Sequence, residues 1–398
     1  MIFLIWFLCI LASSLIITLF NASGVRLGAI PTSILLGAAS CLAVTLCKKR
    51  DKRQGAGSAK STVSTQSLKK GGIVSEVLRS REFSLLIVLA VLVAVIQWRS
   101  GGKFLSGNVI YQLTQNYAYT AVLAFGMLLV LLIGGIDISV GATLALSGMS
   151  TCLMMRDGFI TNSVVAFGFS ILVGLLCGFI IGVTISKGKV IPIIATLGLQ
   201  YIYRGLTYYI SGTLWVPSDK MLDSYKAFAL GDFLGINNLF WIVIVLFVVM
   251  IVFLKWSNLG RQIYAVGSNP DAAKISGINI DRVKIIVYSI NGAIAGLAGA
   301  MYTSFYASAQ GGMGDGAEMD VIAACVIGGV SLNGGQGSAF GVLLGAITVA
   351  VIGKSLSLVG IDAFWQQALK GSIILVAVVA NVLVQRNAAR KALEGREI

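Results

Sequence analysis

The sequence predicts an all-α, polytopic membrane protein with about ten core transmembrane helices and an extra two-helix hairpin at the N-terminus. Three observations lead there. Of 398 residues, 57% are hydrophobic and only 12% charged, too little charge to coat a globule of this size. Apolar runs recur that are long enough to cross a ~30 Å hydrocarbon core at ~1.5 Å per residue. The basic residues collect in short loops between those runs, so the formal net charge of +14 reports topology and calls for no nucleic-acid partner. With no His in the chain, the usual general base and the commonest metal ligand are missing. The six Cys lie within or beside apolar segments, without metal or redox spacing,. No catalytic residue, metal or cofactor is therefore expected.

Taken in order, residues 1–20 and 27–47 each have span length. No basic residue precedes the first run and no small-residue cleavage pattern follows it, so it does not read as a signal peptide,. The basic run Lys48, Lys49, Arg50, Lys52 and Arg53 places both ends of this hairpin in the cytoplasm,. Residues 54–72 are rich in Gly, Ser, Thr, Lys and Gln, too polar to offset the entropy of ordering, and read as a flexible linker,. The expected divisions are an N-terminal hairpin (1–47), a basic cytoplasmic linker (48–82) and the transmembrane domain (83–398).

Within that domain, residues 83–98 run outward to Trp98 and Arg99, 117–133 return, and 138–155 run outward again. Residues 164–185 come back to a turn with Lys187 and Lys189, on the cytoplasmic side as the positive-inside rule requires,. Residues 193–210 lead out to a long external loop, 211–238, and 239–254 lead back in. Spans beginning at Ile285, Met319, Ala339 and Trp365 complete the count and leave Arg386, Arg390, Lys391 and Arg396 inside.

The cytoplasmic loop 259–284 is a polar island between two apolar runs. Asn269 suits a helix cap, Pro270 the first helical position and Asp271 the positive end of the dipole. Ala272 to Ser276 then form a turn or two, which Gly277 closes. Two Gly-rich stretches resemble nucleotide motifs without their context: Gly312-x-Gly314 lacks a strand–turn–helix, and Gly353-Lys354-Ser355 sits in an apolar run with Thr348 where a phosphate loop needs Gly,. Gly174, Gly178 and Gly182, Gly292 and Gly296, and Gly341 and Gly345 each recur every four residues, the spacing of a close helix-packing face.

An acid, Asp137, stands between two spans in Ile133-Gly134-Gly135-Ile136-Asp137-Ile138-Ser139-Val140-Gly141. The span count puts it near the cytoplasmic face. A lone carboxylate in hydrocarbon costs roughly 3 kcal/mol or more, so it is expected to cap Ser139 to Gly141, to serve a gate, or to bind substrate. The stretch Ile133-Gly134-Gly135-Ile136 is echoed by Ile327-Gly328-Gly329-Val330, a hint of two related halves. Between them, Gln200, Arg204 and the tyrosines 201, 203, 208 and 209 load one span with polar and aromatic groups that suit sugars,.

The pattern Gly260, Arg261, Gly267, Asn269, Ala272, Ala273 and Gly277 resembles the cytoplasmic coupling loop of ABC-importer sugar permeases for ribose, galactose and xylose. The Gly134, Gly135, Asp137, Ser139, Gly141 stretch, residues 191–205 and residues 320–330 are similar to further signatures of that family. The resemblance covers residue 83 to the end; the first 80 or so residues depart from it. It implies a bacterial inner-membrane permease that is not itself an enzyme. Implied partners are cytoplasmic ABC ATPase subunits docking on the loop, with Asp271 beside the matched residues, an extracytoplasmic sugar-binding protein, a second permease copy or relative, and membrane lipid. The matched Asp137 stretch, with Gln200 and Arg204, becomes a gate or pathway expectation. An ion-coupled secondary transporter is the rival; it would favour several intramembrane carboxylates, where only Asp137, Asp320 and Asp362 lie near spans. A membrane enzyme would need clustered nucleophile, base or metal residues.

Overall fold

The computed structural model describes residues 81–358 together with Trp365, Ala368, Gly371 and Ser372. The expected N-terminal hairpin, almost all of the linker, and most of the final span with its basic tail lie outside the described residues.

The described chain is helical apart from its loops. In order it forms α1 (Arg81–Arg99), α2 (Gly107–Leu132), α3 (Val140–Arg156), α4 (Ser163–Ser186) and α5 (Pro192–Ser211). The external loop then carries α6 (Asp223–Leu230) and a small hairpin of β1 (Asp232–Phe233) and β2 (Ile236–Asn237). There follow α7 (Asn238–Trp256), α8 (Asn258–Ser268), α9 (Pro270–Ile275), α10 (Ile280–Tyr306), α11 (Ala317–Ile327) and α12 (Ala339–Leu358). Among the described residues, five helices are long and apolar enough to cross a membrane: α2, α4, α7, α10 and most of α12.

The core is built on α2 and α10. Every residue from Val122 to Leu132 is buried. Around this axis α10 packs on α4, α3 and α2, the pair α11–α12 packs on α2, and α5 leans on α3. The four-residue glycine spacings are packing faces. A Cβ on Gly174 would lie 2.2 Å from the Gly292 carbonyl oxygen, and one on Gly178 would lie 2.9 Å from the Gly292 Cα. Backbones of α4 and α10 thus touch with no side chain between them. Gly341 and Gly345 do the same for α12 against the carbonyls of Gly328 and Ala324.

At the end expected to face the cytoplasm, the Lys189 ammonium lies 2.9 Å from Asp281 at the start of α10. At the other end Val216 pairs with Ala309 and buried Tyr225 donates to the Ala300 carbonyl, pinning the external loop to α10 and the turn after it. In that loop, Lys226 holds the exposed Asp223 carboxyl below its usual range.

Three expectations change. The span expected at Met319 is α11, only 11 residues long, about 16 Å at 1.5 Å per residue, and so half a crossing. The chain between α10 and α11 turns back irregularly, through Gly314 and Gly316 at positive φ. The expected coupling loop holds two helices rather than one: before the expected turn comes α8, which buries Gly260, Ile263 and Val266. Finally, the repeat of the Gly-Gly stretch is shifted by one residue. Gly134 donates to Leu131 and Gly135 to Val130, as Gly329 donates to Val326 and Val330 to Cys325. Gly134 (φ +74°) is therefore the structural equivalent of Gly329 (φ +84°), not of Gly328. Only a residue at ease with positive φ closes a helix this way.

Candidate functional site

Past Gly134 the chain does not stay at the edge of the bundle. It climbs back between the helices. Gly135 lies under the Tyr288 hydroxyl, so close that a Cβ would come within 2.4 Å. Asp137, 1% exposed, reaches Asn291, about three turns into α10. Its Oδ1 accepts from the Ser139 backbone N–H (2.9 Å) and Oγ (2.6 Å). Its Oδ2 accepts from Asn291 Nδ2 at 2.7 Å. The carboxylate expected between two spans is thus enclosed by the helices. The turn capped is Ser139 itself, the residue ahead of α3. Gly141 is not held by the carboxylate; it lets α3 approach the Gly314 carbonyl and Glu318, which a Cβ would meet at 2.4 and 2.7 Å.

Hydrogen bonds to a charged group contribute about 1.5–3 kcal/mol each. Three of them offset part of the several kcal/mol that burying an isolated carboxylate costs. Around it, Tyr288 Oη, Asn291 Oδ1 and Thr143 Oγ1 are buried with no hydrogen-bond partner. Buried polar atoms are normally satisfied, and these three set the seam apart from the apolar packing around it. Tyr288, Asn291 and Thr143 escape sequence reading because they interrupt apolar runs singly. The polar Asn291 inside a span was the one available signal.

A second assembly lies at the inner end, where three separate segments meet. Gly335 donates to the Leu132 carbonyl at 2.9 Å, tying the α11–α12 turn to the last residue of α2. Gly267 of α8 is wedged against this bond: a Cβ there would sit 1.7 Å from the Leu132 oxygen and 2.5 Å from the Gly335 nitrogen. Tyr264, one turn earlier on α8, donates to the Gly337 carbonyl at 2.8 Å. Hence α8 bears at once on the break after α2 and on the turn after α11.

The remaining residues of the expected coupling loop take distinct places. Ser257 caps α8 through the Gly260 N–H, and Gly260 is buried against the end of α7. Arg261 is exposed and pairs with Asn258. Asn269 caps α9 by accepting from Ala272 at 3.0 Å. Asp271, Ala272 and Gly277 are exposed, while Ala273 is buried. Ile275, which sequence reading passed over, is 88% exposed. Gln200 and Arg204 are on α5, which reaches the carbonyl of Ile136, beside Asp137, through Thr196. Arg204 Nη1 donates to the carbonyls of Gly311 and Met313.

The phosphate-loop lookalike is helical, with Lys354 donating to Gln112. Among the described residues, no group of His, Cys, Asp and Glu is placed to hold a metal.

Residues 109–378 match the family described as branched-chain amino acid transport system / permease component. The chain belongs to this permease family. It is similar to the Ribose import permease protein RbsC of Escherichia coli (strain K12), 37% identical over 74% of this chain and 92% of that protein. RbsC of Bacillus subtilis (strain 168) is 38% identical, over 74% of this chain and 89% of that protein. The Autoinducer 2 import system permease protein LsrC of Salmonella choleraesuis (strain SC-B67) is 32% identical, over 73% and 83% respectively. No solved structure matches. Family and apolar helices together make this chain a multi-pass membrane permease.

Proposed function

We propose that this permease is the membrane subunit of an ATP-driven ABC importer for a ribose-, galactose- or xylose-like monosaccharide. It takes sugar from an extracytoplasmic binding protein, works beside a second permease copy or relative in the bacterial inner membrane, and leaves ATP hydrolysis to cytoplasmic partner subunits. The named ribose permeases support the cargo. The family assignment gives the rival, an ion-coupled transporter, no support.

The observation that carries the coupling is α9. It is capped, exposed and short, and Ile275 at 88% exposure gives it a large apolar side chain suited to a protein groove. A push on α9 passes to α8 and, through Gly267, to Leu132 and Gly335 together. Both helix breaks then shift at once, each turning on its positive-φ glycine, and α3 and α11 change their tilt. Gly134, Gly135, Asp137, Ser139 and Gly141 form the moving seam in this scheme.

Sealed, right-side-out vesicles loaded with ATP and carrying the full importer with its binding protein test it by ATP-dependent uptake of labelled ribose, xylose and galactose. Ile275→Asp is expected to leave insertion intact and to reduce uptake and ATPase co-purification at least tenfold. ATP-dependent uptake unchanged by Ile275→Asp would remove α9 as the docking element. Ala273 is a poorer probe than its exposed neighbours, because a bulky charge there also breaks packing.

A further inference from the structure

The turn between α10 and α11 brings together polar groups that the scheme above does not use. Arg204 reaches it from α5, donating from one nitrogen to Gly311 at 2.8 Å and to Met313 at 2.7 Å. Its other terminal nitrogen, Nη2, is buried without a partner. Glu318, in the first turn of α11, is 6% exposed, and its Oε2 is likewise buried without a partner. The two groups are close in the fold, since the Gly314 carbonyl, next in sequence to the one Arg204 holds, and Glu318 Oε2 both lie where a Cβ on Gly141 would meet them. Yet each leaves an atom unused. The Tyr208 ring is seated on Gly311, where a Cβ would come within 2.3 Å of it.

α11 is a half-length helix whose first turn is uncapped by any side chain and buries Ala317 and Glu318. Tyr201, Arg204 and Tyr208 are spaced three and four residues apart, so they share one face of α5. Tyr201 and Tyr208 on that face are exposed. A guanidinium that donates, a carboxylate that accepts, and an aromatic ring complement vicinal hydroxyls beside an apolar ring face. Neither an acyl chain nor an inorganic ion uses all three.

Resting on the sugar-permease reading above, we propose that Arg204 and Glu318 are the hydrogen-bonding ligands of two neighbouring hydroxyls of the cargo, with Tyr208 as the platform for its ring. In the conformation described here Arg204 latches the turn to α5. Cargo hydroxyls replace the Gly311 and Met313 carbonyls on the guanidinium, and the freed turn uncovers Glu318.

The test compares uptake of D-ribose, D-xylose and D-galactose, each against its 2-deoxy analogue, in vesicles holding the full importer. A site built to bind hydroxyls discriminates strongly against analogues lacking one. The wild type is expected to favour the parent sugar, and Glu318→Gln to narrow that ratio about tenfold or more. Arg204→Gln is expected to raise half-saturation, with Arg204→Lys restoring part of it. A merely structural role would lower uptake of parent and analogue alike. Glu318→Asp serves as the second probe if Glu318→Gln does not assemble. Wild-type uptake with an unchanged parent-to-deoxy ratio in both Glu318 variants and in Arg204→Gln overturns the site and leaves the transport function standing. No uptake of any of the three sugars by the wild type overturns the sugar reading and the site with it.

Discussion

The breaks after α2 and after α11 close in the same way and then diverge. Each helix ends on a positive-φ glycine with the same pair of backbone hydrogen bonds. After Gly134 the chain climbs inward, carrying Asp137 to Asn291. After Gly329 it forms a turn that stays at the inner end, where Gly335 bonds Leu132. Two related pieces of backbone have therefore been given different tasks, one a buried polar seam and one a contact for α8. The lesson is that a repeat lives in backbone geometry, while chemistry is added to one copy.

Gly267 touches both breaks, so its replacement is expected to have the largest effect. Even the methyl of Gly267→Ala would overlap the Leu132 carbonyl, and backbone on both sides cannot swing away as a side chain would. Overpacking typically costs 1–3 kcal/mol, occasionally more; here the Gly335–Leu132 hydrogen bond is also at risk. Near-complete loss of uptake with a lowered melting temperature is expected for Gly267→Val, and a smaller loss for Gly267→Ala. Wild-type uptake by Gly267→Val would mean that α8 does not act on the breaks.

Next in size is the seam, which distinguishes the first break from the second. Asp137→Leu removes the acceptor from Ser139 and Asn291, at about 1–3 kcal/mol for each donor left unsatisfied, and should lose most uptake. Asp137→Asn keeps the acceptor for Ser139, and rotating the Asn291 amide presents its otherwise unpartnered Oδ1 to the new amide nitrogen,. It should keep substantial uptake. Equal abolition by Asn and Leu in correctly inserted protein would make the charge itself part of transport.

The smallest effect tests whether the breaks are equivalent. Gly134 and Gly329 have room for a methyl, the nearest contact being 3.5 Å from Gly134 and none within 4 Å of Gly329. Alanine at either should therefore cost only the positive-φ penalty of roughly 1–2 kcal/mol. Matching small drops in melting temperature are expected, and a large drop at one site alone would show that the two closures are not the same structure.

The sequence by itself determined that this chain belongs in a membrane, because composition and apolar run length depend on no fold. It also located the α9 cap at Asn269, the polar loop that holds α9 and the glycine packing faces, all consequences of short-range spacing. Tertiary structure alone decided what those pieces meet. The partner of Asp137 is Asn291, 154 positions away. Glu318 faces Gly141, and Gly267 closes on Leu132 and Gly335. α11 spans half the distance its apolar run suggested, because a run 319–330 reads the same whether the chain before it crosses or turns back. Hydrophobicity sets where a residue is tolerated; only the packing of distant segments sets which polar atoms come within hydrogen-bond reach.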